Sequence, residues 1–319
     1  MAYFQIFGGL VLLIFAGDFM VRGAVSAAQR LGVPTLMIGL TIVAFGTSAP
    51  ELVVGIDAVL SGVPTLALGN VVGSNIANIW LVLGLPAIIA PMVCHAPKFT
   101  QNMMIMLGVT VIFMALSFTG VITLASGLVL LILLLAFLYH SGKRAQEAPD
   151  YENLLVDIDG VPDKTDSPLL SIVLIIGGII GLVLGAHLLV DGSIVVARGL
   201  GVSEAVIGLS LVAFGTSVPE LATSIVAALK KECDVAIGNV IGSNIFNLLG
   251  IIGVSSLFGN IPVSPHFTQF DLWVMLGASL TLLPFALYRW RIGRRAGFVF
   301  STLYGLYIFS ILTTISGAS

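Results

Sequence analysis

A 48-residue segment of this chain occurs twice. Residues 31–78 return as residues 200–247 at a constant offset of 169, without a gap, and 27 of the 48 positions are identical. Each copy sets one glutamate, Glu51 or Glu220, in an apolar stretch punctuated by Gly, Pro, Thr and Ser. Charge in the hydrocarbon of a bilayer is costly and marks ion pathways. Internal repeats place such pathways near the midplane.

The membrane assignment rests on composition. Hydrophobic residues make up 58% of the chain and charged residues 9%, against about 25% charged in soluble domains. Mean hydropathy is +1.11. The net charge of −3 says little about orientation, which follows the placement of Lys and Arg. The two cysteines, Cys94 and Cys233, do not suggest a disulfide framework. The N-terminus has no basic n-region and reads as a first membrane helix rather than a cleaved signal.

A span takes about 20 apolar residues. Cutting at polar, Pro and Gly punctuation predicts an all-α polytopic membrane protein with ten spans, near 4–27, 35–60, 67–90, 101–118, 121–140, 168–197, 204–229, 236–258, 268–288 and 296–316. Twelve of the thirteen basic residues belong to odd-to-even connections: Arg22, Arg30, Lys98, Lys143, Arg144, Lys164, Lys230, Lys231 and the tetrad Arg289, Arg291, Arg294 and Arg295. Arg198 falls on the other side. Basic residues collect on the cytoplasmic side, so both termini are expected outside, with the 141–167 loop in the cytoplasm and the protein in the cell membrane. Five spans per repeat is an odd number, so the second copy enters from the opposite side. The expected organisation is a first five-helix repeat (1–140), an acidic cytoplasmic linker (141–167) and a second, inverted repeat (168–319). Asp157-Ile158-Asp159-Gly160 in the linker lacks the spacing and terminal glutamate of an EF-hand, and the loop reads as a solvated connector.

Each repeat carries the same chemistry. In Gly46-Thr47-Ser48-Ala49-Pro50-Glu51, Pro50 has no N–H for the Gly46 carbonyl, and its ring opens that turn. Thr and Ser hydroxyls stabilise such bends. Unpaired backbone at membrane depth survives only against protein or a water-filled cavity. Gly215-Thr216-Ser217-Val218-Pro219-Glu220 repeats the pattern around a second helix-breaking proline, Pro219. A second box runs over 69–78 and 238–247. There Ser74 and Asn78, and Ser243 and Asn247, lie four apart on one helix face. The donor set is two carboxylates, the hydroxyls of Thr47, Ser48, Thr216, Ser217, Ser74 and Ser243, and the amides of Asn78 and Asn247. It has no histidine and no thiolate. Hard oxygens suit Ca²⁺ and Na⁺ rather than Zn²⁺ or Cu⁺. One Ca²⁺ or two Na⁺ would neutralise two ionised glutamates, so the ions would compete for them, and an empty carrier would resist reorientation.

The rest of the polar inventory has plainer readings. Interhelical hydrogen bonding competes with ligation for any single Ser, Thr or Asn, and it is the reading for Asn70, Asn75, Asn239 and Asn244. Asp57 has no counterpart, since position 226 is Val; it either draws cations into the outer vestibule or packs at the interface. Asp18 precedes Arg22 by four residues, an ordinary helical ion pair. His187 reads as a packed histidine, and His95, His140 and His266 fall near span ends.

With these boxes the chain resembles the calcium/cation antiporter superfamily, and within it the prokaryotic sodium/calcium exchanger branch. The resemblance covers both repeats. It implies sodium and calcium sites where the broken second and seventh spans meet the third and eighth. Glu51 and Glu220 would be shared carboxylates, and Thr47 and Thr216 backbone-carbonyl ligands to calcium. Ala44, Ser48 and Ser74 would form one sodium site and Ala213, Ser217 and Ser243 its opposite, with Asn78 and Asn247 as the central polar pair. The potassium-dependent branch carries aspartate at the position of Asn247, and the neutral residue here speaks against potassium co-transport. The proton-coupled branch places an acidic residue in its Gly-Asn box, and neither box here has one.

The expected function is therefore Na⁺/Ca²⁺ antiport by alternating access, with H⁺/Ca²⁺ or other divalent antiport as the alternative. A passive channel would need no counter-ion. An intramembrane hydrolase is disfavoured, because no His or Lys lies in either box to activate Ser48 or Ser217, so no enzyme activity is expected. No nucleotide-binding loop of the Gly-x-x-x-x-Gly-Lys type occurs. Beyond the transported ions no cofactor is expected, and no nucleic-acid partner. The partner is the bilayer, and a monomer with paired repeats is sufficient.

Overall fold

The computed structural model describes residues 2–33, 35–92, 99–146, 167–199, 213–288 and 290–316. These residues are almost entirely helical, because a chain in hydrocarbon must satisfy its backbone polar groups within each segment. Twelve helices follow in order: α1 (Ala2–Leu31), α2 (Leu36–Thr47), α3 (Ala49–Leu60), α4 (Pro64–Ile89), α5 (Phe99–Ser117), α6 (Leu124–Gln146), α7 (Pro168–Gly199), α8 (Ala213–Thr216), α9 (Val218–Leu229), α10 (Cys233–Ser255), α11 (Phe267–Tyr288) and α12 (Arg294–Ser316). Seven of these are long and apolar enough to cross a membrane, and α2 and α3 meet the same length and composition only when taken together, as a pair bent by 45°.

The spans sort into centre and periphery. The apolar window of α10 is 94% buried and that of α6 only 22%. Exposed Phe4, Ile132 and Phe309 lie on the outer helices, where lipid takes the place of water. The core holds Phe113, Met103, Met106, Ile76 and Ile79, all fully buried. Packing crosses between the two halves of the sequence: α2 lies on α10, α6 on α10 and α12 on α4.

Small residues permit the closest crossings, as expected where lipid removes most of the hydrophobic drive between helices. α1 and α7 run together along their lengths. A Cβ on Gly9 would sit 2.7 Å from the Gly185 carbonyl oxygen. At the α2–α10 crossing, a Cβ on Gly39 would lie 2.9 Å from the Val235 oxygen, and one on Gly238 2.6 Å from the Leu36 oxygen.

Two short pairings tie connections together. Val121–Ile122 (β1) pairs antiparallel with Ile261–Pro262 (β2), in the register Val121 to Pro262 and Ile122 to Ile261. Met92 bridges Ile292.

Several expectations from sequence are refined. The first helix extends to Leu31, so Arg22 lies inside it; its Nε is 2.8 Å from Asp18 Oδ2, and Lys230 Nζ reaches Asp18 Oδ1 at 2.6 Å. α6 continues six residues into the segment expected as linker, to Gln146. Lys143 suits the end of a helix, whose dipole favours cations. The rest of the acidic linker, including 157–160, lies outside the described residues, as do 204–212 of the seventh span and Lys98. Cys233 is disulfide-bonded, contrary to the sequence reading, while Cys94 lies outside the described residues.

Candidate functional site

Both proline boxes break the helix in the same way. α2 ends at Thr47, and Ser48 takes φ −83° and ψ 9° before α3 resumes with Pro50 in its first turn. α8 ends at Thr216, and Ser217 takes φ −88° and ψ 3° before α9 resumes with Pro219. The Ser48 N–H reaches the Ala44 carbonyl at 3.1 Å and the Leu52 N–H reaches the Ser48 carbonyl at 3.2 Å. Pro50 offers no such donor to Gly46. The proline thus uncouples one carbonyl, and the first turn of the following helix carries the glutamate. Two π-helical turns lie close to these breaks in the chain: Gly39–Val43 in α2, before the first box, and Asn247–Ile251 in α10, at the end of the second Gly-Asn box. Such turns recur at functional sites.

The broken helices and the Gly-Asn boxes converge in the centre of the bundle. Glu51, Glu220, Thr47, Ser48, Ser74, Asn78, Ser217, Ser243 and Asn247 are all buried. The two glutamates lie within electrostatic reach of each other. Ser48 Oγ donates to Glu220 Oε1 at 3.1 Å, joining the first box to the second. Glu51 Oε2 and Glu220 Oε2 have no hydrogen-bond partner. The same holds for Oγ of Ser74, Ser217 and Ser243, for Asn78 Oδ1, and for both amide atoms of Asn247. Buried polar atoms are normally satisfied, and each exception calls for an explanation. Most of these atoms are oxygens with free lone pairs, a donor set that fits a hard cation. Among the described residues no group of three or more His, Cys, Asp and Glu could hold a metal, so any cation here meets neutral oxygens and at most these two carboxylates.

Other asparagines of the two boxes are bonded across the repeats. Asn78 Nδ2 donates to Asn244 Oδ1 at 3.1 Å, and Asn244 Nδ2 reaches the Asn75 carbonyl at 3.3 Å. The Ala44 carbonyl already accepts from Ser48 N–H; Thr47 Oγ1 also lies 3.4 Å from it, but that hydroxyl's single proton has a shorter acceptor in Asn239 Oδ1 at 3.1 Å. Ala213 opens α8, and its side chain lies outside the described residues. Asp57 is exposed on α3, away from the buried set.

Sequence reading passed over Asp271. It is buried at the start of α11, with His266 Nδ1 2.7 Å from its Oδ2 and the Tyr307 hydroxyl donating to its Oδ1 at 3.1 Å. An isolated acid with no repeat partner gave no pattern to follow.

Outside the spans, the connection from α9 to α10 carries Glu232. Burial, reinforced by the Asp234 carboxylate, pushes the Glu232 carboxyl up to about 7, against the pull of Lys230. A carboxyl whose folded pKa is raised binds its proton more tightly when folded. Its contribution to stability is therefore most favourable in acid and declines as pH rises from the ordinary carboxylate range through about 7. Glu232→Gln removes that decline. Melting in detergent followed from pH 5 to pH 8 is expected to be flatter than in the parent, with the variant the more stable of the two at pH 8. Parallel profiles would refute the assignment.

A helical membrane bundle whose broken helices meet around buried oxygens is the form of a cation exchanger. The sequence profile described as sodium/calcium exchanger protein matches twice, over residues 1–143 and 170–313. The putative antiporter CaxA of Alkalimonas amylolytica is 37% identical over 279 residues, 86% of each chain. The sodium/calcium exchanger MaX1 of Methanosarcina acetivorans is 33% identical over 339 aligned residues, 94% of this chain and 95% of that one. A solved structure of the sodium-calcium exchanger NCX_Mj, soaked without Na⁺ and Ca²⁺, superposes with a TM-score of 0.84 at 35% identity, covering 97% of this chain and 98% of the other. The chain belongs to the sodium/calcium exchanger family and is an integral membrane protein of its prokaryotic branch.

Proposed function

We propose that the protein is a secondary antiporter that exchanges Na⁺ for Ca²⁺ by alternating access, with Glu51 and Glu220 as carboxylates shared by the competing ions. One observation carries the reading: two buried glutamates from duplicated boxes, each with an oxygen that has no partner, lie among neutral oxygen donors. Leaving two such charges uncompensated costs several kcal/mol per ion by the usual estimates, about what a bound cation returns. Thr47 and Thr216 act as carbonyl ligands. Ala44, Ser48 and Ser74 serve one sodium site, Ala213, Ser217 and Ser243 the other, and Asn78 and Asn247 lie between them. Na⁺ and Ca²⁺ are cargo rather than resident cofactors.

The same reading takes the chain as ten spans in two inverted five-helix repeats, 1–140 and 168–319, in the cell membrane with both termini outside. The pairing of the connections supports it. Adding the repeat offset of 169 to Met92 gives 261, and subtracting it from Ile292 gives 123. The Met92–Ile292 bridge is thus the counterpart, within one residue, of the Ile122–Ile261 pair in the small sheet. In the positive-inside topology these two pairings fall on opposite faces, as inverted repeats require.

Calcium-45 uptake into sodium-loaded proteoliposomes diluted into sodium-free buffer tests the function. Uptake is expected with the sodium gradient and not with potassium-loaded or pH-gradient controls. Uptake driven by the pH gradient alone would assign the chain to proton coupling, and uptake without any counter-gradient would make it a channel.

A further inference from the structure

Two hydrogen bonds between the repeats mirror one another. Thr47 Oγ1, at the end of α2, donates to Asn239 Oδ1 on α10 at 3.1 Å. Thr216 Oγ1, at the end of α8, donates to Asn70 Oδ1 on α4 at 3.3 Å. The partners lie 192 and 146 residues apart, and each asparagine is the repeat counterpart of the other. In both copies the asparagine's Nδ2 is buried without a partner. The recurrence argues against incidental packing. Each asparagine spends its acceptor on a single hydroxyl at the last residue of a half-helix, just before the break.

That hydroxyl has a specific mechanical position. Beyond Thr47 the chain leaves helical geometry at Ser48, and beyond Thr216 at Ser217. The helix that would hold the threonine carbonyl in line stops there. A side-chain bond to a neighbouring, mostly buried helix supplies the missing constraint. Ligands on unconstrained backbone lose affinity because binding must then order them.

We propose that Asn239 and Asn70 are positioning residues. Each clamps the threonine that ends a half-helix in the opposite repeat, and so sets calcium affinity at one face of the membrane. The clamp itself rests on the geometry alone, whereas its assignment to one face each rests on the inverted-repeat reading above. Neither asparagine is required to touch the ion. Each acts through a threonine.

The test is a double-mutant cycle read at each face. The variants are Asn239→Ala, Thr47→Val and their combination, with Asn70→Ala, Thr216→Val and their combination as the mirror set. Half-saturating calcium is measured in intact cells and in inside-out vesicles from the same cells. Calcium-dependent melting shifts in detergent provide a readout free of transport. Thr47→Val and Asn239→Ala are each expected to raise half-saturating calcium about tenfold, and the double variant little further. The shift should appear at one face, and the mirror set should act at the other. Asn239→Ser keeps an oxygen acceptor on a shorter stem and should give a smaller shift, which serves if the alanine variant does not fold. Additive effects in the melting shifts would overturn the clamp. Coupled effects at the same face for both sets would keep the clamp and overturn the assignment of faces. If the wild type showed no sodium-driven uptake, the exchange reading would fail, while the melting shifts would still decide the clamp.

Discussion

Glu51→Gln and Glu220→Gln are each expected to reduce sodium-driven calcium uptake to the level of protein-free vesicles. Glutamine keeps the volume and one oxygen but removes the charge that a divalent ion must meet. Removing one partner of a buried charge interaction costs about 3–5 kcal/mol, or roughly two to four orders of magnitude in affinity at about 1.4 kcal/mol per decade. Both carboxylates are buried and each has an oxygen without a partner, so bulk water cannot take over the lost role. The same variants should melt no lower than the parent, because glutamine keeps the side-chain volume and removes a charge that is costly to bury. A ligand that binds only the folded state raises Tm, so calcium should stabilise the parent and neither variant. Retained uptake in either variant would remove that glutamate from the pathway. Lost uptake together with a lowered Tm would instead indicate a structural role.

Gly238→Val is expected to have the largest effect on stability. At this position α10 passes directly over α2. Even a methyl at Gly238 would come within 2.6 Å of the Leu36 carbonyl oxygen and 3.1 Å of Gly39 Cα. Both contacts are backbone, so no side chain can swing aside. Overpacking costs about 1–3 kcal/mol in forgiving cores, and a branched side chain against two rigid backbones should reach the top of that range or beyond. The variant should show a Tm lower by several degrees in detergent, with reduced yield of monodisperse protein. Gly108→Val is the control, since a Cβ there meets nothing within 4 Å. Equal behaviour of the two would mean that the crossing is looser than it stands. Because Asn239 is the next residue, Gly238→Ala should also disturb the bond to Thr47, linking packing to the site.

Much of this was legible in the one-dimensional chain, for physical reasons. Low charge and long apolar runs define a membrane protein whatever its fold, because the hydrophobic effect acts on composition. The duplicated glutamates stood out because buried charge is expensive and recurs here in register. Pro50 and Pro219 announced helix breaks, since proline lacks the donor a helix needs, and both breaks occur one residue beyond the threonines. Other features left no such trace. The π-helical turn at Gly39–Val43 has no proline to announce it. Lys230 meets Asp18 across more than two hundred residues, and Asp271 found His266 and Tyr307 without any repeat to mark it.

The sequence by itself determined the class and the duplication, and it singled out two carboxylates among neutral oxygen donors. Periodicity reports which face of a helix is apolar, and helix breakers report where it stops. Neither reports which distant helix a polar side chain will meet. Only the tertiary structure decided that Ser48 bonds Glu220, that Thr47 bonds Asn239, and that Asn78 pairs with Asn244 while Asn247 keeps both amide atoms free. Those choices depend on how closely α2 and α10 can approach, and that distance is set by the absence of a side chain on each of two glycines from opposite halves of the chain.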